Sequence, residues 1–324
     1  MPRLGLLRPS RVGSGAVSIL LLAVSSACER TEPAPGRKDT AVAVTPPPES
    51  ATVQPPPSSA WDSSAGPALF LAGQAPTEAT VILGAHANSA ALDTTRFDIG
   101  NLRAIVVDLF AAGKRMGTAR VNTVRRPSHA DSCAIWPVAT LNPTTLDSTA
   151  PALWTVGFQT GHAAEVALDS IEGLPRADSS RLAAEVARIA SALPDDTAAS
   201  FRGLPFVVTK AWRARALDRR VLVAIVVRNV NQEANPRQER LLLVAERDTA
   251  ASPSTRFTPV YHERVSGLEE TIETTDLIAI VLLGAERRPT IVVTRDGASG
   301  SAYTLLERLD GHWQRRWTSA YSGC

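Results

Sequence analysis

The residues able to do chemistry in this 324-residue chain are few and scattered. Its five histidines stand at positions 86, 129, 162, 262 and 312. None belongs to an H-E-x-x-H zinc motif, and no two of Cys28, Cys133 and Cys324 have the close spacing of zinc ligands. A nucleophile elbow needs G-x-S-x-G at a strand-to-helix turn. Gly297-Ala298-Ser299-Gly300 has the wrong spacing and follows a turn instead. His262 and Glu263 are adjacent, but neighbours on a strand point to opposite faces, which is poor geometry for a catalytic pair. There is no phosphate loop and no dinucleotide fingerprint. The sequence therefore assigns no catalytic residue, no metal and no cofactor.

Three groups have the chemistry of binding rather than catalysis. Glu269, Glu270, Glu273 and Asp276 carry enough carboxylate for a cation, or form a solvated loop. Arg213, Arg215, Arg219 and Arg220 offer an anion patch, or the solvated face and turn of a hairpin. Tyr303, Trp313, Trp317 and Tyr321 form the most distinctive group. Exposed, they would stack on a sugar or grip a partner protein; buried, they would fill a core beneath the last hairpin. Trp313, Trp317 and Tyr321 are the candidate binding surface.

The first residues carry an address. Arg3, Arg8 and Arg11 precede an apolar run, 16–27, that is too short to span a bilayer, as expected of a signal peptide over 1–27. It ends Val24-Ser25-Ser26-Ala27-Cys28, which resembles the lipobox of bacterial lipoproteins. The resemblance covers the first 28 residues. It implies acylation of Cys28, anchoring in a membrane, and, because Glu29 rather than Asp follows, the outer membrane in preference to the inner one. Removing residues 1–27 deletes three arginines and no acid, leaving 31 basic and 32 acidic residues. A nearly neutral chain offers no overall electrostatic footprint for nucleic acid. With Cys28 acylated, Cys133 and Cys324 remain, each just beyond an expected strand in one exported domain, and a disulfide between them is expected.

The elements around these residues are mostly strands. Residues 28–66 are rich in Pro, Ser and Thr without apolar period, and read as a disordered tether of about 35 Å as a coil. Residues 67–324 read as a β-rich globular region, mainly β in an α+β sense, with two possible halves at 67–175 and 200–324. Ala112-Gly113-Lys114 marks a hairpin between 103–109 and 118–124. One helix is expected at about 178–193, N-capped by Asp178, with Leu182, Val186, Ile189, Ala190 and Leu193 on one face. Phe206, Val208, Trp212, Ala214 and Ala216 alternate as one apolar strand face. The unbroken run 221–227 suits a central strand covered on both sides. In the last hairpin a three-residue loop, 310–312, which pairs Leu309 with Trp313 and Leu305 with Trp317, is preferred over a two-residue loop that pairs Leu309 with His312. The final strands are also similar to repeat blades of bacterial propeller-like envelope proteins, though the acidic calcium loop is missing at 284–289.

Two functions fit this reading. One is a non-enzymatic envelope lipoprotein that binds a partner protein or glycan. The alternative is a diverged envelope hydrolase without a recognisable motif.

Overall fold

The computed structural model describes residues 68–73, 75–83, 99–127, 134–146, 154–194, 198–231, 235–252 and 255–323. The signal segment, the tether, and Cys28, Cys133 and Cys324 lie outside the described residues. The architecture is mainly β and antiparallel, with a single α-helix among the described residues.

Six strands close a barrel in the order β1, β2, β5, β4, β3, β6. They are β1 (Ala68–Ala72), β2 (Glu78–Leu83), β3 (Val106–Ala111), β4 (Lys114–Arg125), β5 (Val138–Leu146) and β6 (Val156–Gln159). The chain then gives β7 (Ala163–Glu165) and β8 (Leu168–Ser170) before α1 (Arg176–Ala192). Eight long strands follow: β9 (Val207–Ala216), β10 (Arg219–Val230), β11 (Arg237–Asp248), β12 (Thr258–Leu268), β13 (Thr274–Leu283), β14 (Arg288–Gly297), β15 (Gly300–Leu309) and β16 (His312–Thr318). With β8 and β7 they form a first sheet, β12-β11-β10-β9-β8, and a second, β16-β15-β14-β13-β7. These five-stranded sheets pack face to face through a shared core, as stacked layers and not the radial blades that the final strands suggest in sequence.

Hydrophobic pattern explains the stacking. Val221–Val227 of β10 are all buried, because both faces of the strand are covered. On one face, Leu222 and Ala224 join Leu182, Val186 and Ile189 of α1. On the other, Val223 and Ile225 meet Ile291, Val293 and Leu306 of the second sheet. That sheet in turn gives Val292, Leu305 and Trp317 to the core of the barrel, with Phe70, Phe110 and Phe158. The order is helix, sheet, sheet, barrel.

The barrel joins the sheets through a close backbone approach. The β3–β4 hairpin turns at Ala112 and Gly113, both at positive φ. Val166 N donates to Gly113 O at 3.0 Å. A Cβ on Gly113 would lie 2.4 Å from Val166 O and 2.9 Å from Ile280 O, so glycine is required twice over.

Three local expectations need correction. The helix begins at Arg176, because the carbonyl of Pro175 accepts from Asp178 N at 2.8 Å and Ser179 N at 3.0 Å. Asp178 sits in the first turn, where its charge suits the helix dipole, and is not the N-cap. In β9 the apolar face is not continuous. Ile225 pairs with Lys210 and Val226 with Val208, so Thr209 is an extra residue whose hydroxyl donates to Ile225 O at 2.8 Å. The bulge sends Phe206 and Val208 toward α1 and Trp212, Ala214 and Ala216 toward the second sheet. The last hairpin has the two-residue loop: Leu309 pairs with His312, and Asp310 and Gly311 both have positive φ. A bulge at Arg316 then restores the pairing of Leu305 with Trp317.

Candidate anion-binding surface

The helix-side face of the first sheet changes character along its strands. One rung carries Ala211, Ala224 and Leu243, the next Arg213, Leu222 and Ala245, and the next Arg215, Arg220 and Arg247. Directly paired residues share a face. Arg215 pairs with Arg220, and Arg220 with Arg247, so three arginines stand abreast on three neighbouring strands. The register is fixed by the two-residue turn Leu217-Asp218, which joins β9 to β10, and by the continuous β10–β11 pairing.

Arg215 and Arg220 are exposed, and neither has an acidic partner among the described residues. Arg213 lies 3.8 Å from Asp169. Arg247 is more constrained: its guanidinium sits 4.6 Å over the Phe257 ring and donates to Thr255 O at 2.9 Å. Burial, then the charge of Arg220 and, more weakly, that of Arg213, pull the Arg247 pKa down; Glu185 opposes them. Glu185 itself accepts from Phe257 N at 3.1 Å. Arg219 behaves differently. It points to the opposite face with Val221 and lies 3.5 Å from Asp218 and 3.9 Å from Asp248. The four arginines singled out in sequence thus divide, and Arg247, 27 residues beyond Arg220, completes the row. Only a strand register could have revealed it.

A second charged cluster lies between the two sheets. Glu263 on β12 accepts from Tyr261 Oη, from Arg295 Nη2, and from Arg315 Nε at 3.1 Å. Arg295 also donates to Glu273 at 3.0 Å and to Thr304 Oγ1 at 2.9 Å, and Glu273 accepts from Tyr321. Burial alone would raise the Glu263 pKa; Arg295 and Arg315 overcome it and hold the carboxyl below its ordinary range. Burial, with Glu273 as acceptor, pushes the Tyr321 phenol up to about 12. Every carboxylate here is matched to a guanidinium, so the cluster closes the margin of the sandwich. At the other end Glu246 accepts from Trp313 Nε1 at 2.5 Å and Arg308 Nε at 2.8 Å.

The aromatic candidate surface is overturned. Trp313 is 4% exposed and Trp317 1%, and the bulge at Arg316 sends them into different cores. Tyr321 alone, at 37%, reaches solvent. The acidic group does not converge either: Glu273 is bound to Arg295, and Asp276 to Lys210 at 2.5 Å. No cluster of metal-ligating side chains occurs among the described residues. His262 is exposed while Glu263 faces inward, as strand alternation requires. No helix among the described residues is long and apolar enough to cross a membrane. No family model matches this chain, and neither curated proteins nor solved structures give a match.

Proposed function

We propose that this chain is a lipid-anchored, non-catalytic binding module of the cell envelope, held through Cys28, that engages an anionic partner with the arginine rung of its first sheet. The carrying observation is the register that sets Arg215, Arg220 and Arg247 side by side. The pairing itself works against folding, since like charges directly opposite on neighbouring strands are destabilising, by up to ~1 kcal/mol per pair. The same hairpin end shows the stabilising alternative on its other face, where Arg219 sits among Asp218 and Asp248. A tether over 28–66 would give such a surface reach into the envelope.

The anchor and the surface are tested together. Wild-type chain should sediment with membranes, and Cys28→Ala should be released as the mature chain. Released chain carries 31 basic and 32 acidic residues, a formal charge of −1. It should nonetheless be retained on a sulfonate cation exchanger at pH 7, and Arg215→Ser/Arg220→Ser should abolish retention. Arg103→Ser/Arg188→Ser, the same change of charge at exposed positions elsewhere, should not. Membrane retention of Cys28→Ala would refute the anchor. Equal elution of the two double variants would refute the surface.

A further inference from the structure

We infer that the anion taken by the arginine rung is a slender chain of phosphate groups; this rests on the reading of the rung as a binding surface. Neighbouring strands lie about 4.8 Å apart, so the three α-carbons of the row span about 10 Å. A guanidinium fork accepts a carboxylate or a phosphate in the same bidentate geometry, so charge density decides between them. A carboxylate brings one charge and two oxygens, whereas a terminal phosphate brings up to two charges and three oxygens. Arg213 adds a fourth cation one rung away, and Asp169 and Glu185 are the acids brought near the row. Two or three linked phosphates would neutralise the remainder, where carboxylates would have to be aligned one by one.

The surroundings select a narrow ligand over a flat one. Helix α1 packs on the same face, on Leu222, Ala224 and Ala245, one rung from the row. A helix stands about 10 Å tall with its side chains. Arg247 is also held down on Phe257 and Thr255. A bilayer plane is kept off Arg247 by the helix, while a phosphate chain can lie along the step between the helix and the hairpin end.

The test is calorimetric titration of the purified Cys28→Ala chain, which carries no lipid of its own, at low salt and pH 7, with tripolyphosphate, with citrate, and with vesicles containing phosphatidylglycerol. Tripolyphosphate should bind about tenfold more tightly than citrate, and Arg220→Ser should weaken it about tenfold. The same variant should raise the unfolding midpoint, by about 1–3 °C, because two like-charge pairs are relieved. That opposite sign separates loss of a ligand group from loss of the fold. Citrate binding as tightly as tripolyphosphate, with both weakened by Arg220→Ser, would overturn the phosphate inference and leave the binding surface standing. Binding of tripolyphosphate unchanged in Arg220→Ser would place it elsewhere and overturn the inference. Capture by the vesicles without tripolyphosphate binding would overturn it in favour of a lipid surface.

Discussion

Replacing Glu263 by Gln should be among the most damaging isosteric changes in the molecule. The side chain is 14% exposed, and it neutralises Arg295, at 7%, and Arg315, at 17%. Removing one partner of a buried ion pair typically costs about 3–5 kcal/mol, because the other charge is left uncompensated. Two features reduce that figure. Arg295 keeps Glu273 at 3.0 Å and Thr304 at 2.9 Å, and Arg315 and Glu263 are not fully buried. Arg315 has no such reserve: its hydrogen bonds go to Glu263. The expected loss is about 3 kcal/mol, or about 6–12 °C in the unfolding midpoint for a domain of this size. Tyr261→Phe, which removes one donor to Glu263, should cost about 1 kcal/mol. The pH dependence has a definite sign. The folded pKa of Glu263 lies below its ordinary value of 4.5, so its stabilisation is fully present above that value. It is lost as pH falls through the folded pKa. Denaturant unfolding of wild type and Glu263→Gln should therefore differ by a constant amount from pH 8 to about 5, and converge below it. A difference under about 1 kcal/mol at pH 7, or one that shrinks between pH 8 and 6, would refute the assignment of Glu263 as the ionised centre of the cluster.

Two further outcomes can be checked with the same unfolding assay. Gly113→Ala and Gly311→Ala carry equal backbone strain, at φ +85° and +84°, but a Cβ at 113 meets Val166 O while nothing lies within 4 Å of one at 311. Gly311→Ala should cost about 1 kcal/mol and Gly113→Ala clearly more, and equal costs would show that the barrel turn is not seated against β13. The Cys133–Cys324 disulfide expected from the sequence has a direct chemical test. Unreduced, unfolded protein should show no thiol reactive toward a labelling reagent, and reduction should destabilise it by at most about 5 kcal/mol; two reactive thiols would refute the pairing.

The mainly β class and the single helix were legible because they depend on patterns along single segments, whereas the closed barrel and the stacking of the two sheets depend on pairings between distant strands and were not. The run at 221–227 demanded a strand buried on both sides, and the 3.6-residue spacing from Leu182 to Ala190 demanded one helix face. Turn residues located the hairpins at Gly113 and at Asp310-Gly311. Faces were harder to read, and the reason is physical. One inserted residue reverses every side chain beyond it. Thr209 and Arg316 are such residues, and nothing in their type announces a bulge. The regular alternation read through Phe206 to Ala216 therefore put five residues on one face where the structure divides them, and Trp313 and Trp317, four apart, end in different cores.

Arg219 and Arg220 show why the candidate surface was even less legible than the fold. The two residues are adjacent, identical in type and equally close to the turn, so sequence treats them as one patch. Strand alternation separates them. Arg219 falls on the face where Asp218 and Asp248 approach, and its charge is used within the fold. Arg220 falls on the face where pairing delivers Arg215 from one side and Arg247 from the other, and its charge is compounded. The distinction rests on two registers, one set locally by a two-residue turn and one by a strand 27 residues away. A pattern search confined to neighbours can find the first. The second exists only once three strands are aligned, and a binding surface made of single residues from each of them has no sequence motif to display.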